Sequence, residues 1–271
     1  MDPVTSPLRG PGGRLEQARA LLREAPSVLV LSGAGVSAES GVPTFRGSGG
    51  LWRNYRPEEL ATPAAFARDP RLVWEWYGWR RELIGDCRPN AAHRALAQWL
   101  LEDPEMRVLF TQNVDGLHEL AMAEACGVAV EDLPPALRPR TLHGQIFRVR
   151  CTACGLRSLH RGPIDSSRVD TLPHCTQCEA LLRPDVVWFG EALDEPLFDD
   201  ATRKAQHATL SLVIGTSGLV QPAASLPHMT LAGGGVVIEV NPDPTPISQH
   251  AHVWLAGAAA VMLPELLRHP A

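Results

Sequence analysis

Residues 28–46, VLVLSGAGVSAESGVPTFR, contain the strongest indication of the fold. The opening apolar run is typical of a buried parallel strand, and glycines and small residues that can open a helix follow it directly. A strand, turn and helix in this order let backbone N–H groups meet a diphosphate. Gly33, Gly35 and Ala38 match G-x-G-x-x-[GA], a weak pattern when it stands alone. The segment predicts a dinucleotide-binding turn, although its last four residues have no role in an ordinary dehydrogenase turn.

The composition is that of a soluble globular protein. Of the 271 residues, 45% are hydrophobic and 20% are charged, and this length suffices for a large α/β core. A formal net charge of −5 argues against direct nucleic-acid binding through phosphate neutralisation. No apolar run reaches the roughly 18 residues of a membrane span, and no signal-peptide core is visible. We therefore expect a cytoplasmic protein without membrane partners, and the sequence leaves its oligomeric state open.

Apolar segments alternate with helical ones along most of the chain. Strand candidates occur at residues 28–31, 107–111, 210–215, 235–240 and 252–255. This alternation predicts an α/β fold with a doubly wound, parallel, Rossmann-like sheet.

The segments around these strands predict a division into modules. Residues 1–13, rich in proline and glycine, are expected to form a disordered tail. A tryptophan-rich helical insertion and a cysteine-containing ribbon form a smaller module that interrupts the sheet domain. The stretch 121–140, which contains three prolines, predicts a loop with at most a short helix. The predicted bounds are 14–45, 102–144 and 187–271 for the sheet domain, 46–101 for the helical insertion and 145–186 for the ribbon.

Four of the six cysteines form two C-x-x-C pairs, namely Cys151, Cys154, Cys175 and Cys178. Paired knuckles of this kind place four thiolates at tetrahedral distance and predict an all-cysteine zinc site. Because four cysteines leave no coordination position for water, we expect the Zn²⁺ to be structural. The alternatives are four free buried cysteines, or His174 in place of one ligand.

Polar residues follow several predicted strands at their carboxyl ends, where ligands bind in parallel sheets. Asn and Asp are also common in turns and at helix caps, and a lone histidine is more often structural than catalytic. Taken alone, these residues are therefore compatible with a ligand-binding crevice and also with ordinary turns. The positions are Gln112, Asn113, Asp115, His143, Gly215, Thr216, Ser217 and Asn241.

Together these motifs resemble the sirtuins, NAD-dependent protein lysine deacylases, from about residue 14 to residue 264. The resemblance depends on five ordered motifs: residues 33–46, 111–118, 143–144, the four cysteines, and 184–191. It implies that NAD is a consumed co-substrate. The acyl-lysine oxygen would attack the nicotinamide ribose as nicotinamide leaves, and lysine and O-acyl-ADP-ribose would be released.

The resemblance also implies a role for each matched residue. His143 would be the general base, a role that suits a side chain with a pKa of about 6.5, and Asn113 a second catalytic residue. The residues implied for NAD binding are Gly33, Ala34, Gly35, Thr44, Phe45, Arg46, Gln112, Asp115, Gly215, Thr216, Ser217, Asn241 and Ala259. The substrate peptide would add as a strand between two edges formed by Val187, Trp188, Phe189, Gly218 and Leu219.

The spacing of Ala61, Tyr77 and Arg80 resembles that of sirtuins that prefer succinyl-, malonyl- or glutaryl-lysine. Arg80 would offer a fork of donors to the acyl carboxylate, and Tyr77 a hydroxyl. The alternative without a role in substrate binding is that Arg80 is a surface residue beside Tyr77 in the core. Thr141 departs from the family, where an acidic residue is common two positions before the base.

Four other functions compete with this one. A nicotinamide oxidoreductase with a structural zinc is disfavoured, because its usual acidic residue after the second strand is not evident. A non-catalytic ADP-ribose or zinc-ribbon module is disfavoured by the joint presence of Asn113, Asp115 and His143. Acetyl-preferring deacetylation and protein ADP-ribosyl transfer remain as alternatives within the family.

Overall fold

The computed structural model describes residues 11–43 and 55–268. The strands are β1 (Val28–Ser32), β2 (Arg107–Thr111), β3 (Arg140–Thr141), β4 (Gly144–Cys151), β5 (Arg157–Leu159), β6 (Leu182–Val186), β7 (Leu210–Ile214), β8 (Val236–Val240) and β9 (Val253–Leu255). The helices are α1 (Pro11–Glu24), α2 (Pro57–Leu60), α3 (Pro63–Arg68), α4 (Pro70–Gly85), α5 (Ala91–Glu102), α6 (Leu117–Cys126), α7 (Glu195–His207), α8 (Leu226–Ala232) and α9 (Ala259–Leu266).

The main sheet has the strand order β3-β2-β1-β7-β8-β9, and each neighbouring pair is parallel. All five residues of β1 are buried, as expected for a strand with helices on both faces of its sheet. The chain runs outward from β1 in both directions, so a crevice forms at the carboxyl ends of β1 and β7. The prediction of a doubly wound parallel sheet is confirmed, with each predicted strand within one residue of the observed bounds.

Alternate residues of β1 face two different cores. Val28 and Val30 pack in the core that α1, α5, α6 and α9 cover, whereas Leu29 and Leu31 pack in the core beneath α7 and α8. This follows from the two-residue period of a strand. The two helical layers therefore hold the loops after β1, β2 and β7 in fixed positions.

A second module combines the helical insertion with the ribbon. Its sheet has the order β5-β4-β6 and is antiparallel, and helices α2, α3 and α4 share one hydrophobic core with it. The indole Nε1 of Trp74 in α4 donates to the carbonyl of Leu182 in β6 at 3.0 Å. The two insertions thus form one unit beside the main sheet.

Three boundaries differ from the sequence-based expectation. Helix α1 begins at Pro11, so residues 11–13 of the expected tail are helical, and residues 1–10 lie outside the described part. Helix α5 packs on α6 and α9, and thus lies with the main sheet although the expected helical insertion includes it. The stretch 121–140 begins inside α6, which ends at Cys126, and continues with short 3-10 turns.

Gly127 marks the end of α6 better than the prolines do. It has φ +68°, and its N–H bonds the carbonyls of Ala123 and Glu124, a common way for glycine to end a helix.

Among the helices of residues 11–43 and 55–268, none combines the length and the apolar character that a membrane span requires.

Candidate active site

The glycine-rich turn after β1 packs directly on the end of β7. The N–H of Gly33 donates to Ile214 at 2.9 Å, and that of Gly35 donates to Gly215 at 2.8 Å. A Cβ on Gly35 would lie 2.8 Å from the Cα of Gly215, and one on Gly215 would lie 2.6 Å from the backbone nitrogen of Val36. These glycines are needed for close approach of the two strand ends. Because both N–H groups already donate within the protein, other groups must meet a diphosphate here.

Ser37 joins this turn to the residues after β2. Its hydroxyl donates to Oδ2 of Asp115 at 2.8 Å and accepts from Nδ2 of Asn113 at 3.1 Å. The other carboxylate oxygen of Asp115 accepts from the N–H of Leu117 at 2.9 Å. Burial raises the pKa of Asp115 although these hydrogen bonds oppose the shift. The structure therefore brings Asn113 and Asp115 together, with Ser37 as a link that the sequence analysis missed.

Two buried histidines support the Ser37 link. Nε2 of His93 lies 3.3 Å from the Ser37 hydroxyl, and Nε2 of His118 lies 2.9 Å from the hydroxyl of Ser32. The two imidazole rings are 4.8 Å apart between centroids. Burial lowers the pKa of His93 to about 4 and that of His118 well below its ordinary value. Both rings are therefore neutral at pH 7, and they act as hydrogen-bonding groups in this network rather than as charges.

His143 is held on both sides at the end of β3. Its Nδ1 lies 3.0 Å from the carbonyl oxygen of Gln112, and its own carbonyl accepts from the N–H of Val187 at 2.9 Å. Because a carbonyl only accepts, Nδ1 carries the proton and Nε2 is the basic nitrogen. Burial lowers the pKa of His143, although the bond to Gln112 opposes this. The imidazole is consequently neutral near pH 7.

Gly144 makes the turn that places His143. It has φ +80°, and a Cβ at this position would lie 2.1 Å from the carbonyl oxygen of Asp185 in β6. Any side chain here would be strained and would also strike the neighbouring strand.

Thr216 is hydrogen-bonded to two other predicted NAD-binding residues. Its hydroxyl accepts from Nε2 of Gln112 at 2.8 Å, and its carbonyl accepts from Nδ2 of Asn241 at 2.7 Å. The neighbouring Ser217 hydroxyl accepts from the N–H of Leu219 at 3.3 Å. Ala259 is buried at the start of α9. The ends of β2, β7 and β8 are thus joined around one crevice.

The predicted peptide-binding edge continues from β6. The N–H of Phe189 donates to the carbonyl of Ala61 at 2.9 Å, and the Phe189 side chain is exposed. Leu219, on the predicted opposite edge next to Gly218, is 65% exposed. Trp188 differs from both because its side chain is only 2% exposed. Its indole therefore belongs to the core of the second module.

The indole of Trp188 supports the predicted acyl-group residues on α4. Its Nε1 donates to the Tyr77 hydroxyl oxygen at 2.9 Å, and burial raises the pKa of Tyr77 to about 12. The guanidinium carbon of Arg80 lies 5.9 Å from the centroid of the Tyr77 ring and 5.1 Å from that of Trp76. Burial lowers the pKa of Arg80, while Tyr77 and Asp115 oppose the shift. Tyr77 and Arg80 therefore lie together on α4, and Arg80 is close enough to the crevice residue Asp115 for each charge to affect the pKa of the other.

Three predicted NAD-binding residues lie outside the described part of the chain: Thr44, Phe45 and Arg46.

The four predicted metal ligands form one cluster. Their Sγ atoms all lie within 4.8 Å of one another, with 3.4 Å between Cys151 and Cys178 and 3.7 Å between Cys154 and Cys175. Zn–S bonds of about 2.3 Å in a tetrahedron require S···S distances of about 3.8 Å. The backbone N–H groups of Cys154 and Gln177 point at the sulfurs of Cys151 and Cys175, both at 3.4 Å. The four sulfurs and the N–H groups that point at them fit a structural Zn²⁺, and His174 is not part of the cluster.

A family model described as the Sir2 family matches residues 33–222. The chain belongs to the Sir2 family. It is 45% identical to "NAD-dependent protein deacylase 1" of Archaeoglobus fulgidus, an alignment that covers 92% of this chain and 94% of that relative. The prediction of a sirtuin is therefore confirmed.

Solved Sir2 structures have the same fold as this sirtuin. The crystal structure of a Sir2 homologue–NAD complex has a TM-score of 0.82 at 45% identity and covers 94% of this chain and 93% of that one. A mutant Sir2 homologue in complex with 2′-O-acetyl ADP ribose has the same TM-score and identity, with 94% and 95% covered. The residues around the crevice and the four-cysteine cluster agree with the predicted NAD co-substrate and structural zinc.

Proposed function

We propose that this sirtuin removes acyl groups from protein lysines with consumption of NAD, and that it prefers succinyl and malonyl groups. The meeting of His143, Asn113 and Asp115 at one crevice carries the proposal, in a chain that belongs to the Sir2 family. NAD supplies the glycosidic bond that is broken and the ribose that receives the acyl group. This role excludes hydride transfer, so the oxidoreductase alternative is dropped.

His143 is proposed as the general base. Its Nδ1–H is fixed by the carbonyl of Gln112 at 3.0 Å, which leaves Nε2 to accept a proton from a ribose hydroxyl. A lowered pKa keeps the imidazole neutral near pH 7, as a base requires. Asn113 and Asp115, oriented by Ser37, are proposed to position the nicotinamide ribose.

Tyr77 and Arg80 are proposed to select acidic acyl groups. A guanidinium can bind a carboxylate through two parallel hydrogen bonds, and such bonds are about twice as strong as neutral ones. The Tyr77 hydroxyl accepts from Trp188 and can still donate its own hydrogen. Its raised pKa keeps that hydrogen in place at pH 7. A succinyl or malonyl carboxylate would therefore find one charged donor and one neutral donor.

Acetyl-lysine is the second candidate substrate. The observation that favours it is the complex of a 45% identical Sir2 homologue with 2′-O-acetyl ADP ribose. We also propose a cytoplasmic location, which is supported by the fit of the four free thiols to zinc rather than to disulfides.

Nicotinamide release from acetyl-, succinyl- and malonyl-lysine peptides tests the proposal. The wild type is expected to release nicotinamide in a peptide-dependent way, with the highest kcat/KM on the acidic acyl groups. Arg80→Met should raise KM for succinyl and malonyl peptides at least tenfold, the effect of one lost charge-assisted contact, and leave the acetyl peptide within about twofold. Arg71→Met, at the exposed start of the same helix, is the matched control and should behave as wild type. Equal losses on all three peptides would refute the carboxylate role.

A further inference from the structure

A cavity of about 690 Å³ lies between the second module and the main sheet. Its walls come from residues 130–145, from strands β4 to β6 and from the loop 185–197. Ser37, Asn113 and Asp115 do not line it. Leu142 and Gly144, which flank His143, and Val187, which donates to its carbonyl, do line it. The cavity therefore lies behind the catalytic histidine rather than in the NAD crevice, and its volume is within the range of small-molecule sites.

Arginine side chains dominate the lining of this cavity. They come from three segments of the chain and converge on a small group of carboxylates. The arginines are Arg138, Arg148, Arg150, Arg157 and Arg161. The acidic side chains are Glu119, Glu131, Asp185 and Asp194. Burial and the nearby Asp115 raise the pKa of Glu119 to about 7, so this wall has more positive than negative charge at neutral pH.

The strand register places like charges side by side. Arg150 of β4 is directly opposite Arg157 of β5, an arrangement that destabilises a sheet unless anions lie between the two charges. Asp185 lies near this pair, 3.5 Å from Nε of Arg157 and 3.8 Å from Nε of Arg148. Asp194 is 3.9 Å from Arg157. Arg150 itself lies 3.5 Å from Glu191. All these separations are longer than hydrogen bonds, so the carboxylates compensate the arginines only in part.

Arg148 has an unsatisfied donor at this cavity. Its Nε is buried and has no hydrogen-bond partner within the described residues. A buried donor without a partner is rare in folded proteins, because leaving it unpaired costs about 1–3 kcal/mol. The Arg148 side chain as a whole is 42% exposed, so its terminal guanidinium nitrogens can reach an oxyanion in the cavity. An oxyanion near Arg150 and Arg157 would also offset the repulsion within that cross-strand pair.

We propose that this cavity binds a small oxyanion with more than one negative charge, of the diphosphate or polycarboxylate class. Guanidinium groups match the oxygen spacing of both phosphate and carboxylate. The volume of about 690 Å³ suits a compact ligand. Arg148, Arg150 and Arg157 hold the anion. The proposal does not depend on the acyl preference of the enzyme.

Isothermal titration of the full chain with inorganic pyrophosphate and, separately, with citrate tests the proposal at constant ionic strength. At least one probe should bind with one site per chain. Arg148→Gln should weaken that binding at least tenfold, since it removes a charge-assisted donor. Arg168→Gln is the matched control, because this exposed arginine pairs with Asp170 outside the cavity. It should leave binding within twofold, and circular dichroism and zinc content should show that both variants fold.

Saturating ADP-ribose distinguishes the cavity from the NAD crevice. Anion binding should persist in its presence, and competition between the two would place the anion in the crevice and overturn the proposal. Failure of both probes to bind would overturn it too, as would an equal loss in both arginine variants. Binding of poly-glutamate without binding of either small anion would indicate a protein partner instead. A tighter Kd for pyrophosphate or for citrate identifies which class of oxyanion the site prefers.

Discussion

Gly144→Ala should displace His143 while the rest of the fold is kept, and it should lower both stability and activity. The new Cβ would start 2.1 Å from the carbonyl oxygen of Asp185, so β4 and β6 must move apart by more than about 1 Å to reach ordinary contact. At φ +80° an alanine also has unfavourable backbone energy, of about 1–2 kcal/mol. With overpacking of about 1–3 kcal/mol, the free energy of unfolding should fall by about 2–5 kcal/mol.

The same movement should also reduce activity, because it displaces His143. Its ring is fixed by a 3.0 Å contact with Gln112 and its backbone by a 2.9 Å bond from Val187. A displacement of about 1 Å breaks either bond and can lower a rate about a hundredfold. We therefore expect kcat for nicotinamide release to fall about a hundredfold. ADP-ribose affinity should stay within about threefold, because the Ser37 cluster does not move.

Urea unfolding and steady-state kinetics at 25 °C measure both effects. Gly127→Ala is the matched control, since Gly127 also has positive φ but a Cβ there would meet nothing within 4 Å. It should lose only the backbone energy of about 1 kcal/mol and keep full activity. Wild-type kcat in a folded Gly144→Ala protein would refute the account of how His143 is positioned.

Three further predictions concern other groups of the molecule. His143→Ala should abolish turnover but preserve ADP-ribose binding by titration; near wild-type turnover would contradict its role as base. Wild-type protein should contain one zinc per chain, and chelation or Cys175→Ser should unfold it by circular dichroism; an unchanged thermal midpoint after zinc removal would argue against a structural metal. Burial raises the pKa of Glu119 from 4.5 to about 7, so folding favours its protonated form and stability falls as pH rises between these values. Glu119→Gln should therefore increase the free energy of unfolding by about 3 kcal/mol at pH 8, and less as pH falls towards 5. A gain independent of pH would show that the carboxyl does not titrate in this range.

Local patterns in the sequence determined the parts of this structure that were predicted well. The run VLVL at β1 is apolar at every position because both faces of the sheet are covered. Each pair of cysteines lies three residues apart, so one turn places both sulfurs near each other. Neither feature needs knowledge of the rest of the chain.

The support of the active site depends on contacts between distant residues. Ser37 meets His93 and Asp115 across 56 and 78 positions, and His118 meets Ser32 across 86. A buried histidine looks the same in sequence whether it stabilises a core or a catalytic loop, so these roles could not be predicted. Helix α5 shows the same limit: its apolar face is evident, but which of the two cores it joins follows only from tertiary packing.

Trp188 connects the proposed peptide-binding edge with the proposed acyl pocket, two sites that were predicted separately from the sequence. Its chain neighbours Val187 and Phe189 hydrogen-bond to the carbonyls of His143 and Ala61, while its buried indole holds the Tyr77 hydroxyl at 2.9 Å. The guanidinium carbon of Arg183 lies 3.3 Å from the centroid of the indole, which fixes the ring further. The proposed peptide edge and the proposed acyl pocket therefore depend on the same side chain. A change at Trp188 should alter peptide affinity and acyl selectivity together, whereas a change at Arg80 should alter selectivity alone.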